Sequence, residues 1–226
     1  MCGRYVSPGE AAIEREFNLV HMEWQFPSSF NVAPTQEVPV VRLRKGERQG
    51  IRLRWGLIPY FAQGVAPKYS TINARTETVQ TAPSYRGPWS RGQRCLVVAQ
   101  GFYEWQTQPD GKGRVPYYIH LNDQEIFAFA GLWDASMTPQ GTWVESCVHL
   151  TMPANRLLAE IHNTQQRMPA ILAREDREAW LSGSPEEAWA ALRPYPNESM
   201  VAWPVSSRVN KPANDDAQLI EPVRAA

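Results

Sequence analysis

A succession of short apolar runs punctuated by turn residues constrains this chain more than any other feature. Arg94 to Ala99, Val115 to Leu121, Glu125 to Trp133 and Trp143 to Leu150 are strand-like, with Asp110-Gly111, Asn122-Asp123 and Pro139-Gln140-Gly141 as breaks. That order predicts an antiparallel meander. Upstream, Glu37 to Arg44 and Ile51 to Trp55 alternate apolar and basic residues about a turn of Lys45-Gly46-Glu47-Arg48-Gln49-Gly50, predicting a hairpin with Arg42, Arg44, Arg52 and Arg54 on one face. Helical spacing marks Glu10 to Phe17, Ala154 to Ile161, Arg174 to Leu181 and Pro185 to Leu192, the last opened by a capping box of Ser184, Pro185 and Glu187. Gln63 to Gly92, rich in Pro, Gly and Ser, reads as an extended loop. A late strand, Met200 to Val205, precedes a polar C-terminal segment, about 207–226, expected to pack loosely. Helices at the edges of a largely antiparallel sheet make the class α+β. With 226 residues, 43% of them hydrophobic and nine Trp, the chain can bury one large core, and a single domain over 1–226 is expected.

The formal net charge of zero argues against a polyanion partner only until the chain is halved. Residues 1–120 hold 15 basic and 9 acidic side chains, net +6, and 121–226 hold 8 and 14, net −6. Of the 23 basic residues 19 are Arg, whose planar fork suits phosphate and stacks on rings. A compositional bias toward Arg codons explains the same excess equally well. No apolar run approaches bilayer length and Met1 to Tyr5 lacks a signal-peptide core, so a cytoplasmic protein with no membrane contact is expected.

Three cysteines without CxxC spacing indicate neither a disulfide framework nor a zinc site. Cys95 and Cys147 sit in apolar runs and read as small buried hydrophobes. Cys2 differs, because loss of Met1 would leave a free α-amine beside its thiol. Such an aminothiol closes a thiazolidine ring on an aldehyde. The α-amine, with a pKa of about 7.7–8.0, keeps a useful neutral fraction near pH 7, and the thiol step is intramolecular. Two other readings stand beside it: an amino-terminal nucleophile that attacks carbonyls, and an accident of position. Proton transfer would need partners. Glu104, in Gly101-Phe102-Tyr103-Glu104-Trp105, has an apolar setting that raises a carboxyl toward neutrality, or else it lies on the solvent face of a strand. His162 is a general acid or base, or simply the C-terminal cap of the helix before it. His21, His120 and His149 carry no signal. There is no phosphate loop, dinucleotide fingerprint, nucleophile elbow or metal-ligand helix, so no metal or cofactor is expected.

Together, Met1-Cys2-Gly3-Arg4, Asn31-Val32-Ala33-Pro34, Trp55-Gly56-Leu57-Ile58-Pro59, Ile72-Asn73-Ala74-Arg75-Thr76-Glu77-Thr78, Gly101 to Trp105, and Ile161-His162 before Arg167-Met168-Pro169 resemble the SOS response-associated peptidase family, the abasic-site processing proteins. The resemblance implies a strongly curved, barrel-like sheet with peripheral helices. It also implies a monomer that binds single-stranded DNA and captures the ring-opened aldehyde of an abasic site through Cys2, after self-catalysed loss of Met1. Nucleoid association is implied with it, and no sequence signal identifies replication-associated partners. By the same resemblance Asn73 positions the cysteine or the opened sugar, Glu104 transfers protons, and His162 assists ring opening or crosslink reversal. Arg4, Arg75 and Arg167 then contact phosphates, with Pro34 and Trp55 also at the DNA, and Tyr60 and Phe61 form a wedge beside the lesion. Four residues, Asn163-Thr164-Gln165-Gln166, separate His162 from Arg167, more than in the family's shorter motif, which loosens the assignment of Arg167.

Overall fold

The computed structural model describes residues 2–19 and 25–223; Met1, whose removal the Cys2 chemistry requires, and His21 lie outside them. Thirteen strands are present among the described residues: β1 (Arg4–Ser7), β2 (Ser29–Val32), β3 (Glu37–Arg44), β4 (Glu47–Trp55), β5 (Asn73–Arg75), β6 (Arg94–Ala99), β7 (Gly101–Thr107), β8 (Arg114–Leu121), β9 (Phe127–Met137), β10 (Trp143–Pro153), β11 (Arg167–Pro169), β12 (Ile171–Leu172) and β13 (Met200–Pro204). Five short α-helices lie around them: α1 (Glu10–Phe17), α2 (Arg86–Ser90), α3 (Arg156–Ile161), α4 (Arg177–Ser182) and α5 (Pro185–Ala190). The class is α+β, as the strand-rich sequence predicts.

The topology is more closed than a meander. β4, β3, β6, β9 and β10 pair in a ring, because β10 joins β9 antiparallel on one side and β4 parallel on the other. Closure leaves none of these strands with an open edge. A second sheet, in the order β13-β8-β7-β1-β2, packs beside the ring and carries the N-terminal strand. The chain therefore passes from the ring (β6) to the second sheet (β7, β8) and back (β9). Phe17, Trp55, Phe102, Phe127, Phe129 and Trp180 fill the core as large, fully buried side chains. Burial of apolar area at about 25 cal/mol per Å² makes this interior the main source of stability.

Several sequence expectations change in detail. The hairpin turn is only Lys45-Gly46, both at positive φ (52° and 83°), a two-residue connection that matches strand twist. Consequently Arg42 lies opposite Gln49 and Arg44 opposite Glu47, whereas Arg52 faces Pro39 and Arg54 faces Glu37. Side chains alternate along a strand, so Arg42 and Arg44 share one face and Arg52 and Arg54 the other; the four do not form one basic surface. Arg42 is itself buried, with Nη1 2.7 Å from Glu145 Oε1 and its guanidinium 4.3 Å over the Trp133 ring. The expected loop from Gln63 to Gly92 contains β5 and α2. The C-terminal segment docks firmly rather than loosely: Val209 and Leu219 are fully buried, and Trp203 Nε1 donates to Ile220 O at 2.8 Å. Glu187 N donates to Ser184 Oγ at 3.2 Å and Ser184 N to Glu187 Oε2 at 2.7 Å, the predicted capping box.

Candidate active site

Cys2 precedes β1, which runs antiparallel to β7 with Arg4 opposite Tyr103. That register brings the residues before Arg4 alongside Glu104. Gly101 permits it: a β-carbon there would collide with the Tyr118 ring that covers it from β8, so β7 could not lie as close. From the other side β5 pairs parallel with β10, and Asn73 Nδ2 donates to the Cys2 carbonyl at 3.0 Å. His162 closes the group as the C-cap of α3, with Nδ1 3.9 Å from Glu104 Oε1. Helix α3 is tied to β7 by Gln106 Nε2 donating to Glu160 O (3.1 Å) and by Asn163, which accepts from Thr107 N (3.1 Å) and donates to Thr107 O (2.8 Å). Cys2, Asn73, Glu104 and His162 thus converge from four separate stretches of sequence.

All but Asn73 in this group are buried, and burial sets their proton affinities. The Glu104 carboxyl is pushed up to about 7, chiefly by removal from water. Burial also drives the Cys2 thiol well above its ordinary range, and the negative charge of Glu104 adds to it. For His162 burial lowers the pKa, partly offset by the Arg167 backbone. The pocket at neutral pH thus holds a protonated thiol, a neutral imidazole and a carboxyl near half-ionisation. Such a carboxyl can both give and take a proton at working pH. No group of three or more His, Cys, Asp or Glu among the described residues is placed to hold a metal ion.

The four residues between His162 and Arg167 do not separate them. Gln166 takes positive φ (51°) and its N–H donates to His162 O at 2.8 Å, so the segment turns back and sets the Arg167 backbone against His162 Nδ1. The Arg167 guanidinium then forms an ion pair with both Glu77 oxygens and donates to Thr151 O at 2.6 Å. Arg4 is similarly committed, donating to Asn31 Oδ1 (3.0 Å), Val209 O (2.8 Å) and Asn210 O (3.3 Å). Of the three arginines expected at phosphates, Arg75 is the one exposed without such partners among the described residues. Pro34 is half-buried in a turn fastened to the Trp55 backbone, where Thr35 N donates to Trp55 O at 2.9 Å. Trp55 is fully enclosed, with Nε1 donating to Ile72 O at 2.8 Å, so its indole supports the interior and reaches no ligand. Tyr60 and Phe61 are more than half and half exposed, at 58% and 50%, in an edge-to-face pair with centroids 5.4 Å apart. Their turn is fixed to β9, Tyr60 N donating to Asp134 Oδ2 at 2.9 Å, and Arg91 stands 5.3 Å over the Tyr60 ring and 3.0 Å from Asp134. They lie toward the Asp134 end of β9, away from the Asn73 end of β10, so this aromatic pair and the cysteine occupy separate stations. Glu77, Thr151 and Arg91 have no distinguishing sequence signal; only the folded register shows what they hold.

The fold is a closed strand ring beside a second sheet whose N-terminal strand sets Cys2 near a buried carboxylate and histidine. Residues 1–212 match the family described as SOS response associated peptidase (SRAP), and the chain belongs to that family. It is 38% identical to the abasic site processing protein YoqW of Bacillus subtilis (strain 168), covering 98% of this chain and 99% of the relative. To the abasic site processing protein HMCES of Gallus gallus it is 30% identical, over 99% of this chain and 78% of the relative. Among solved structures, a protein from Bacteroides thetaiotaomicron superposes with a TM-score of 0.87 at 27% identity, over 99% of this chain and all of that one.

Proposed function

We propose that this protein processes abasic sites in single-stranded DNA by capturing them covalently through Cys2 once Met1 has been removed. The observation that carries the reading is the juxtaposition of Cys2, gripped through its carbonyl by Asn73, with a Glu104 carboxyl poised near neutrality and His162 behind it. The α-amine adds to the C1 aldehyde of the opened deoxyribose. Loss of water from that adduct, with Glu104 donating a proton to the departing hydroxyl and the nitrogen releasing its own to solvent, leaves an imine. The thiol sulfur then adds to the imine carbon, Glu104 takes the thiol proton, and the nitrogen gains one from solvent, closing the thiazolidine. Water is the leaving group and no oxidant is needed. Names of the relatives at 38% and 30% identity, abasic site processing proteins, support the substrate class. Exposed Tyr60, Phe61 and Arg75 offer stacking and charge to a single strand.

Denaturing electrophoresis of the Met-processed protein with a uracil-glycosylase-treated single strand tests this. A slower band that survives denaturation and vanishes in Cys2→Ala is expected; a wild-type lane without it overturns the reading. The family's description as peptidases favours one competing activity, Cys2 as nucleophile on other proteins. Mass spectrometry separates the two: capture requires at most one cut, between Met1 and Cys2, whereas a peptidase turns over added peptides.

A further inference from the structure

We propose that His149 is a positioning residue for Cys2: with Tyr5 Oη and Asn73 Oδ1 it holds a buried water beneath the cysteine and thereby fixes the Asn73 amide that grips the Cys2 carbonyl. The parallel register of β5 and β10 sets His149 opposite Asn73, and opposed residues project from the same face of a sheet. The Asn73 amide nitrogen is used on Cys2 O, but its oxygen is buried with no protein partner among the described residues. Neither nitrogen of His149 has one, and neither has the Tyr5 hydroxyl. His149 and Tyr5 share one aromatic compartment, and Asn73 stands opposite His149 on the paired strand. The His149 ring packs 5.3 Å from Trp55 and 5.0 Å from Phe129, and Tyr5 packs against the same two rings at 5.4 and 5.8 Å.

Each buried polar group left unmade costs about 1–3 kcal/mol, so a fully enclosed histidine with both nitrogens orphaned is a poor core residue unless something occupies the space between these groups. A buried water needs two to four polar contacts, and this compartment offers an amide acceptor, a phenol and an imidazole. Burial drives His149 down to about 3, so its ring is neutral and presents one donor and one acceptor. A water that accepts from His149 can donate to Asn73 Oδ1. A primary amide whose oxygen is unanchored can rotate and turn that oxygen toward the Cys2 carbonyl, which would repel it; the water prevents the flip.

The inference rests on the capture reading for its kinetic test but not for its structural one. A high-resolution crystal structure of the full chain should show a water within hydrogen-bond distance of both His149 and Asn73 Oδ1. His149→Leu, of similar volume, should slow single-turnover capture of an abasic single strand about tenfold, one hydrogen bond's equivalent, with a modest fall in melting temperature because Tyr5 Oη and Asn73 Oδ1 lose part of their shared hydrogen bonding. His149→Gln, which keeps a donor and an acceptor, should restore the rate to within about threefold. A structure in which His149 and Asn73 share no water, or a Leu variant with the wild-type rate, overturns the proposal. If His149→Leu does not fold, the wild-type water and the Gln rate decide. Should wild-type protein form no crosslink at all, the capture reading falls, and the water alone judges the role of His149.

Discussion

On the inner side of the Cys2 site, Tyr5 Oη, Asn73 Oδ1 and both nitrogens of His149 are buried without protein partners among the described residues, whereas Arg4 and Arg167 at its rim each hold several. Arg167 holds Glu77 and Thr151, and Arg4 holds Asn31 and the carbonyls of the C-terminal segment. The interior keeps hydrogen-bonding capacity in reserve; the rim spends its charge within the molecule. Desolvation explains the interior, because low polarity suppresses ionisation of Cys2 and His162 and lifts Glu104 into the working range. Arg4 and Arg167 are thus committed within the molecule, and exposed Arg75 supplies charge on β5 two residues from Asn73.

The largest effect should come from the interior. Glu104→Gln keeps the shape but neither gives nor takes a proton, and the capture rate should drop at least about a hundredfold. In wild type the rate should decline as pH rises through about 7, where the carboxyl loses the proton it donates; single-turnover rates against pH in both proteins check that this decline disappears in the variant. Stability follows with a definite sign. The folded-state pKa lies above the ordinary 4.5, so folding favours the protonated form, and the contribution of Glu104 to stability is full below 4.5 and lost as pH rises through about 7. Above pH 7 the Gln variant should therefore melt higher than wild type.

At the rim the corresponding test is Asn31→Ala. One amide accepts from Arg4 and donates to Val209 O, Lys211 O and Asn214 O at 3.2, 3.1 and 2.8 Å, so its loss should cost about 3 kcal/mol in a denaturant titration. Limited proteolysis should then cut the segment from Ser207 onward, which resists in wild type.

This contrast explains which features were legible in the sequence. The β6 run, the capping box at Ser184 and the helix from Glu10 to Phe17 follow from local periodicity and emerge where expected. Cys2, Glu104 and His162 stand out because each chemistry suits a particular residue type in a particular setting. Facing of the hairpin arginines was not legible: it turns on whether the connection has two residues or six, and Lys45 at positive φ is not a conformation its residue type favours. Firm packing of the tail was hidden because its polar composition conceals Val209 and Leu219 and because its anchors, Arg4 and Asn31, lie at the opposite end of the chain. His149 read as an ordinary strand residue; its interest arises only from the neighbour that parallel pairing gives it.

Tyr60 and Phe61, at their separate station, can be tested without disturbing Arg4 or Arg167. Replacing either by Ala should weaken single-stranded DNA binding by about 1–3 kcal/mol if each carries a stacked base, with the melting temperature little changed because both rings are exposed. Fluorescence anisotropy with an unmodified strand checks this, and unchanged affinity would mean that the pair serves something other than a base.

The smallest effect, and the sharpest test of how Arg167 is committed, is Glu77→Gln. Glu77 is about half exposed and its carboxyl is held down to about 2, chiefly by hydrogen bonds from Arg167, so at neutral pH it is an anion competing for the guanidinium a phosphate would use. Gln preserves the size but removes the charge. Affinity for a single strand should rise about threefold at low salt, and the slope of log affinity against log salt should steepen by up to about 0.7, the equivalent of one additional phosphate. The cost falls on folding: because the Glu77 pKa is depressed, its stabilisation is present above 4.5 and lost as pH falls toward 2, and the Gln variant should lack it at neutral pH. Weaker DNA binding in Glu77→Gln would reverse the assignment, making Glu77 the group that aims Arg167 at the strand rather than the one that withholds it.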